Sequence, residues 1–473
     1  MRILVIFVVF FVSNSWAQNV KTYDLSSIIM QTKKQSITSK IAKSAKENSY
    51  FQFIGFSAEL KPQLTLTGNL LDYSRDFLGV RQPDGTILFQ PRTQNYSSFG
   101  FGLSQLISTT GGTISLNSNL TRFDDFERKS LQYSGVPVTL TLVQPLFSFN
   151  EFKWLKKIEP LRLQESEKRY DRDVDELTLE TVKLFFEVVE AQADLDIAQK
   201  NISNQHVIYA IEEKRINLGT TSKDKILQLQ LQILESEQEL KKATVAIKSS
   251  LFSLMNYSGI QDTSNVALVL PEILPEVTIS TAEAISKAKE NRSEFITYIR
   301  KKLEAEKDLE KAKKERIKVN LNVAYGLNGA SNRLASLYSQ SKSQQSLLLN
   351  VVIPILDWGR TRGKIKIAET NLNTAKYTIA QEETALIQEV SNITQSLQLI
   401  FDYIGIAKQA SKIGNERYEL AKEQFTFGKM TVTDLNIALM DKDKARRSYI
   451  TALKEFWTSY YQLIALTHSD ISK

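Results

Sequence analysis

The chain has 473 residues, of which 42% are hydrophobic and 24% charged, and its formal net charge is +7 at pH 7. It contains no cysteine and only two histidines. Disulfide frameworks, thiolate metal sites and cysteine nucleophiles are therefore excluded, and a histidine-built metal centre is not expected. No basic block marks a nucleic-acid-binding arm. The scarcity of glycine (18) and proline (9) indicates long uninterrupted helices.

The N-terminus has the features of a signal peptide. Met1 and Arg2 precede the apolar run 3–12, and residues 15–17 suit cleavage before Gln18. An uncleaved anchor is the alternative, although a spanning helix needs ~20 apolar residues. No later segment is apolar for long enough to form a transmembrane helix. We therefore expect an exported chain whose membrane contact is made in another way.

Five segments lack charged residues in a chain that is charge-rich elsewhere. They are residues 62–71, 93–121, 130–150, 319–332 and 343–356. Apolar and polar residues alternate within them, as where Leu140 and Leu142 alternate with Thr139 and Thr141. A period of two predicts β-strands with one apolar face and one polar, uncharged face.

These strands favour a transmembrane β-barrel over a soluble sheet. The solvent face of a soluble sheet normally has Lys and Glu, whereas Thr, Ser, Asn and Gly replace them here. Strands of ~9–11 residues with an apolar outer face are typical of barrels, which close and so leave no edge in lipid. A soluble sheet is the alternative interpretation.

The remaining sequence predicts long coiled-coil helices. Between residues 152 and 218 there is one proline and no glycine, and apolar residues recur at alternating intervals of four and three. After Gly219 the same heptad frame resumes, which predicts two helices folded into a hairpin. The heptad positions are Leu184, Val188, Ala191, Leu195, Ala198 and Ile202 before the glycine, and Ile226, Leu229, Ile233, Leu240, Ala243 and Ile247 after it.

The chain contains two internal repeats. Pro145 and Pro354 are 209 residues apart, as are Gly219 and Gly428. The same offset aligns the first heptad positions with Ile393, Leu397, Ile400, Ile404 and Ala407. The predicted order is a signal peptide (1–17), a leading helix (18–60), strands (61–146), a helical hairpin (147–257), a linker (258–282), a second leading helix (283–318), strands (319–356), a second hairpin (357–467) and a tail (468–473).

The number of strands stays open at this point. If residues 99–107 and 113–121 form a further hairpin that crosses the membrane, each chain supplies six strands instead of four. Neither strand group can close a wide barrel alone, so strands from several chains are needed.

This order of elements resembles the TolC-type outer-membrane efflux proteins over nearly all of the mature chain. The resemblance rests on the duplicated architecture, on residues 60–64, 143–147 and 352–359 at the strand–helix turns, and on the two glycine tips. The turns include Pro145, Pro354 and Gly359. The resemblance implies a fold that is mainly α with membrane β: a homotrimeric β-barrel in the outer membrane of a Gram-negative bacterium, continued by an α-helical coiled-coil barrel in the periplasm.

Both helix tips end in a glycine followed by a T-x-x-D pattern, which a C-cap glycine and a capping box explain locally. The tips are Leu218, Gly219 and Thr220 in the first repeat and Phe427, Gly428 and Lys429 in the second. In the resembled family such tips close the periplasmic end, bind adaptor hairpins and contain a ring of aspartates.

By motif, Asp434 corresponds to one aspartate of that ring, whereas Ile437 replaces a second one. Asp224 lies one residue closer to its glycine than Asp434 does. Phe425 corresponds to a family aromatic residue that holds the tip closed, but it lacks a hydroxyl. The resemblance thus assigns a periplasmic gate to Asp434, Phe425 and Asp224.

No catalytic constellation is present in the sequence. The segment from Gly359 to Lys364 follows a strand and opens a helix, as a phosphate-binding loop does. It has three residues between its glycines instead of four, and Ile365 follows the lysine. We therefore expect no enzyme, no cofactor, no metal site and no nucleic-acid partner.

The sequence and the resemblance together predict a passive outer-membrane duct of a tripartite efflux or type I secretion system. Its expected partners are a periplasmic adaptor, an inner-membrane pump and outer-membrane lipid. It would open by a small untwisting of coiled-coil pairs at the tips. A periplasmic coiled-coil adaptor or scaffold is the main alternative, and an adhesin or enzyme with a soluble sheet is another.

Overall fold

The structure is a computed structural model that describes residues 21–217, 222–261 and 266–469. The predicted signal peptide and the first-tip residues Leu218, Gly219 and Thr220 lie outside the described residues. The described chain divides into two compact units. One consists of residues 45–167 and 293–385, and the other of the remaining described residues.

Nine strands and nine helices are found in the described residues. The strands are β1 (Lys21–Tyr23), β2 (Gln63–Asn69), β3 (Tyr73–Arg81), β4 (Ile87–Ile107), β5 (Gly112–Asp125), β6 (Ser130–Leu146), β7 (Val266–Leu268), β8 (Lys318–Ser331) and β9 (Lys342–Val352). The helices are α1 (Leu25–Gln35), α2 (Ile37–Glu59), α3 (Glu151–Asn217), α4 (Lys223–Ser258), α5 (Thr281–Asn291), α6 (Ser293–Lys314), α7 (Leu334–Ser339), α8 (Arg360–Thr426) and α9 (Val432–Thr467).

The charge-poor segments form one antiparallel sheet in the order β2-β4-β5-β6-β8-β9. Strand β3 pairs with residues 87–95 of β4, and β2 pairs with residues 98–104 of the same strand. These two short strands therefore share one edge of the sheet. Among the described residues each chain supplies six adjacent strand positions rather than four. The additional hairpin is β4–β5, which turns at residues 108–111.

All four junctions between this sheet and the long helices lie at one end of the sheet. Leu146, at the end of β6, pairs with Val319, and Lys318 pairs with Val352 at the end of β9. The first residue of β2 pairs with Ser104, three residues before the end of β4. Helices α2, α3, α6 and α8 consequently meet the sheet at the same end.

The two repeats have helices of equal length. Helices α3 and α8 have 67 residues each, and α4 and α9 have 36 residues each. The offset between corresponding helix starts is the 209 residues seen in the sequence. Within the described ranges, no helix is both long enough and apolar enough to cross a membrane.

The leading segments differ from the single helices expected at 18–60 and 283–318. Each is divided in two, because Ser36 and Arg292 adopt extended backbone angles with ψ of 148° and 136°. The amide of Ser39 donates to Ser36 Oγ at 3.1 Å, so Ser36 caps the start of α2. The linker also contains β7, which pairs in parallel with β1.

Candidate functional site

The turn between α8 and α9 is closed by its own backbone. Gly428 has a φ of 73°, a left-handed conformation that glycine adopts without steric cost. The Gly428 amide donates to the Phe425 carbonyl at 3.0 Å, and the Lys429 amide donates to the Gln424 carbonyl at 2.9 Å. These bonds pair carbonyl groups that the end of a helix leaves without partners.

Asp434 lies in the first turn of α9 with an exposed side chain. The N-cap residue Thr431 accepts a hydrogen bond from the Asp434 amide at 3.2 Å and donates its hydroxyl to Asp434 Oδ2 at 2.6 Å. The carboxylate borders a hollow of about 510 Å³ whose lining includes Ile413, Leu420 and Ile437. Its position is therefore set by the helix cap, beside an exposed apolar surface.

Helices α3, α4, α8 and α9 pack around Phe425 at this tip. The Phe425 side chain is only 1% exposed. Burial, assisted by the charges of Glu419 and Asp443, raises the pKa of neighbouring Tyr418 to about 12. The buried cluster consists of Ile208, Leu229, Tyr418, Ala421, Phe425, Val432, Leu435, Ala438 and Leu439.

Arg215, in the last turn of α3, joins the first hairpin to the second tip. Its Nη2 donates to the Phe425 carbonyl at 2.8 Å, and its guanidinium carbon lies 4.8 Å from the centre of the Phe425 ring. Nη1 donates to Glu212 Oε1 at 2.6 Å. A cation at the C-terminal carbonyls of a helix is favourable, as is a guanidinium over an aromatic face. Arg215 thus supplies the polar contact that the Phe425 ring lacks.

A polar junction lies between α3, α4 and α9, further from the tip. Asn201 Nδ2 donates to Asp443 Oδ2 at 2.7 Å, and Gln205 Nε2 donates to Asn436 Oδ1 at 3.3 Å. Asn436 Nδ2 in turn donates to Gln232 Oε1 at 3.0 Å. One side-chain oxygen each of Asn201 and Gln205 is buried without a hydrogen-bond partner in the described structure, whereas the second Asp443 oxygen lies 3.7 Å from the Lys442 ammonium. Such unsatisfied groups weaken packing between helices.

Helix α8 has two apolar stripes with a seven-residue interval. We call the first the buried stripe and the second the exposed stripe. The buried stripe is Val390, Leu397, Ile404, Tyr418 and Phe425, with Ser411 at the intervening position. The exposed stripe is Leu399, Ile406, Ile413 and Leu420 of α8 together with Phe427, the first residue after the helix, and these residues are between 54% and 71% exposed.

Helix α4 has an exposed apolar stripe as well. Its members recur at intervals of four, three, eleven and seven residues, which all fit a heptad frame. This α4 stripe is Leu227, Leu231, Leu234, Val245 and Phe252. Helices α4 and α8 therefore each have an exposed apolar surface with the spacing of a coiled coil.

The strand–helix turns differ in their local geometry. Pro145 is the penultimate residue of β6 and pairs with Asn320, whereas Pro354 follows the end of β9. Gly359 has a φ of 85° directly before α8. Asp357 caps that helix by accepting hydrogen bonds from the Thr361 and Gly359 amides at 3.0 Å each, and hydrogen bonds from Thr361 and Gly359 lower the pKa of Asp357.

The structure brings the second-tip residues together but corrects the account of the first tip. The N-cap of α4 is Ser222, and its side chain makes no capping bond. Asp224 is then the second residue of the helix, and a capping box requires the third. The Asp224 side chain is exposed.

Arg215 and Glu212 were not identified from the sequence. The partners of Arg215 are a ring and a backbone carbonyl 210 residues away. No local pattern marks such a pair. A basic residue in the last turn of a helix is also common for electrostatic reasons alone.

The profile of the outer membrane efflux protein family matches residues 106–260 and 286–467, which include parts of both repeats. No curated protein sequence matches the chain at a significant level. Among solved structures, the CmeC outer membrane channel of Campylobacter jejuni is similar with a TM-score of 0.67 and 15% identity, over 95% of this chain and 86% of that one.

Two further outer-membrane proteins have the same fold. VceC of Vibrio cholerae is similar with a TM-score of 0.65 and 13% identity, over 95% of this chain and 97% of that one. The open state of the MtrE outer membrane channel of Neisseria gonorrhoeae gives 0.65 and 13%, over 95% and 89%. The family match excludes the adaptor interpretation. The chain therefore belongs to the outer membrane efflux protein family.

Proposed function

We propose that three copies of the chain form one duct, which the helix tips close at the periplasmic end. The exposed stripe of α8 is the observation that carries this proposal. Five apolar side chains at seven-residue intervals are the pattern that a neighbouring helix covers in a coiled coil. Apolar surface removed from water contributes about 25 cal/mol per Å². We assign this covering helix to a second copy of the chain.

The exposed stripe of α8 and the α4 stripe together support a ring of copies. If the exposed stripe of α8 in one copy packs against the α4 stripe of the next, the contact joins two different surfaces. Contacts of this kind generate a closed ring when the rotation between copies closes. Three is the number of copies that the resemblance to TolC-type proteins implies.

The sheet supports the same arrangement. It ends on two different edges, β9 on one side and β2 with β3 on the other. Unpaired strand edges are costly in lipid, because their backbone groups have no hydrogen-bond partners there. Six strand positions from each of three copies give a closed barrel of eighteen strands.

We assign the gate to the second tip. Arg215 fastens the end of α8 to the first hairpin, so α8 and α9 must release this contact before they can move away from α3. Because the polar junction of Asn201, Gln205 and Asp443 contains unsatisfied groups, separating these helices costs less free energy than separating an apolar coiled coil. Asp434, repeated around a symmetry axis, would repel its copies and attract cations at the entrance.

In this proposal the duct is passive and has no catalytic activity, cofactor or nucleic-acid partner. An inner-membrane pump supplies the energy, and a periplasmic adaptor binds the tips and releases the Arg215 contact. The exposed Phe427 and Lys429 at the second tip are the residues proposed for docking. Leu218, Gly219 and Thr220, together with exposed Asp224, would form the corresponding surface at the first tip.

Planar-bilayer recordings of the purified assembly test the gate. Arg215→Gln should raise the open probability, and Asp434→Ala should raise conductance or reduce block by multivalent cations. Lys214→Gln and Glu423→Gln are the controls, because each removes a like charge from an exposed position near the tip. Values equal to those of the parent would exclude the residue concerned from the gate. A monomer without conductance would contradict the duct itself.

A further inference from the structure

Basic residues are concentrated at the four helix–strand junctions. We define the junction belt as residues 53–62, 147–157, 308–318 and 353–366, which comprise the residues that connect strand and helix, the first residue of β8 and seven residues of each adjoining helix. The belt has thirteen basic and six acidic residues, a net charge of +7, which equals that of the full chain. The rest of the sequence is therefore neutral overall.

Most basic side chains of the belt are available to an external ligand, although Lys314 and Lys366 form salt bridges with Glu310 and Glu369. All thirteen are exposed, and Arg362 and Lys364 form no salt bridge with any described residue. The ammonium nitrogens of Lys157 and Lys311 lie 5.5 Å and 6.0 Å from the ring centres of Trp154 and Phe149, and both lysines remain exposed. The thirteen are Lys61, Lys153, Lys156, Lys157, Lys311, Lys313, Lys314, Arg316, Lys318, Arg360, Arg362, Lys364 and Lys366.

Helix electrostatics do not explain the basic residues at the start of α8. Its first seven residues include Arg360, Arg362, Lys364 and Lys366, and its first turn has no acidic residue. Cations are unfavourable at a helix N-terminus, because the unpaired amides there already form the positive end of the helix dipole. The capping carboxylate of Asp357 offsets part of this charge, and an anion outside the chain would compensate the remainder. The lysines at the end of α6 are already in a favourable position.

Large apolar side chains project from the same turns. Ile355, Trp358 and Phe147 are 99%, 89% and 86% exposed. Trp358 and Phe147 have φ values of 52° and 59°, a conformation that is rare for residues other than glycine. Such backbone strain persists at functional positions. Aromatic residues with this exposure are typical of membrane–water interfaces.

The opposite end of the sheet is different. Residues 72–98 and 121–135 have equal numbers of basic and acidic side chains. Ion pairs join Arg92 to Asp76 at 2.5 Å and Arg122 to Asp124 at 2.8 Å. The loop between β8 and β9 adds Arg333 and Lys342 with no acidic residue, which gives this end a net charge of +2 against +7 for the junction belt. The larger positive charge therefore lies at the end at which the periplasmic helices begin.

We propose that the junction belt binds anionic glycerophospholipids in the periplasmic leaflet of the outer membrane. The phosphate oxygens accept hydrogen bonds from the Arg and Lys side chains, and Trp358, Phe147 and Ile355 insert among the acyl chains. A lipid fits both features of the surface, since its headgroup matches the charge and its chains match the apolar side chains. A free anion would match only the first. The proposal needs the outer-membrane location but does not depend on the gate.

The test is phosphatidylglycerol binding by the purified full-length assembly. The belt variant combines Arg360→Gln, Arg362→Gln and Lys364→Gln. The control combines Arg75→Gln, Arg81→Gln and Arg333→Gln, which removes the same charge from exposed positions at the other end of the sheet. Both are placed in nanodiscs of phosphatidylcholine with phosphatidylglycerol, and the lipid retained after detergent extraction is measured by mass spectrometry. We expect roughly tenfold or greater loss of affinity for phosphatidylglycerol in the belt variant alone.

Three results would overturn the proposal. The first is equal retention by the belt variant and the parent, and the second is equal loss in the belt variant and the control. The third is competition by soluble glycerol phosphate as strong as that of the lipid, which would indicate a simple anion site. Loss of adaptor binding with unchanged lipid retention would assign the belt to a protein partner instead. Melting temperature in phosphatidylcholine alone checks folding, and the dipole argument predicts no decrease in the belt variant.

Discussion

The two apolar stripes of α8 have the same spacing but different surroundings. The buried stripe packs within the chain, and its last member, Phe425, is 1% exposed. The exposed stripe runs parallel to it two residues further along, and its last member, Phe427, is 70% exposed. Two residues correspond to about 200° around a helix, so the stripes lie on nearly opposite sides of α8. A helix with apolar stripes on two opposite sides needs packing partners on both sides, and within one chain only the buried stripe has them.

Charged substitutions in the exposed stripe should have the largest effect. Ile406→Glu with Ile413→Glu places two carboxylates in a coiled-coil contact, where unpaired charges are costly to desolvate. We expect assembly to be lost while helical content is retained, because neither side chain packs inside the chain. Mass in mild detergent and circular dichroism measure the two quantities.

A matched pair on the same helix separates this effect from added charge. Gln398→Glu with Gln409→Glu introduces the same two carboxylates at exposed polar positions outside both stripes. This control should assemble as the parent does. Intact assembly of the Ile406 and Ile413 variant would contradict the assignment of the exposed stripe to a contact between copies.

The next largest expected difference is in the stability effects of Phe425, near the end of α8, and Phe427, directly after it. Phe425→Ala removes a fully buried ring and should lower the free energy of unfolding by about 3–5 kcal/mol. Phe427→Ala removes the same group from an exposed position and should change it by no more than about 0.5 kcal/mol. Phe427→Ala should instead weaken adaptor docking, for which Phe427 is proposed. Thermal unfolding of both variants in detergent decides the comparison, and equal losses would contradict it.

The sequence reveals the buried surfaces of the helices better than their exposed ones. Leu397, Ile404 and Ala407 follow a heptad frame, and all three are buried in the structure. The exposed stripe has an equally regular frame but was not identified. Periodicity shows that a stripe is apolar, but it does not show which surface covers it. That information comes from tertiary packing.

The sheet and the tip show a similar limit. Alternation predicted strands in the charge-free segments but not β3, which contains charged residues. Two repeats of unequal strand content left four or six strands open, and only the pairing of β4 with β5 decides the number. At the tip, the capping pattern around Asp434 followed from local sequence. The contact of Arg215 with Phe425 did not, because the two residues are distant in the chain and the accepting atom is a carbonyl oxygen that every residue has.

The smallest predicted effect concerns Tyr418, which differs from its apolar neighbours in the buried stripe by its hydroxyl. Its ring lies 4.2 Å below the Lys442 ammonium, and burial, with Glu419 and Asp443 nearby, raises the pKa of Tyr418 to about 12. An unfolded tyrosine has a pKa of about 10. Below pH 10 both states hold the proton, so the contribution of Tyr418 to stability is fully present.

Between pH 10 and pH 12 the unfolded chain loses the Tyr418 proton first, so the free energy of unfolding decreases as the pH rises. Tyr418→Phe should therefore make the alkaline decline in melting temperature shallower, while leaving the slope below pH 10 unchanged. Burial also raises the pKa of Tyr461, but that group is present in both proteins and cancels in the difference. Tyr403→Phe, on the same helix with an exposed ring, is the control. If it flattens the decline as much as Tyr418→Phe does, the buried stripe is not the origin of the effect.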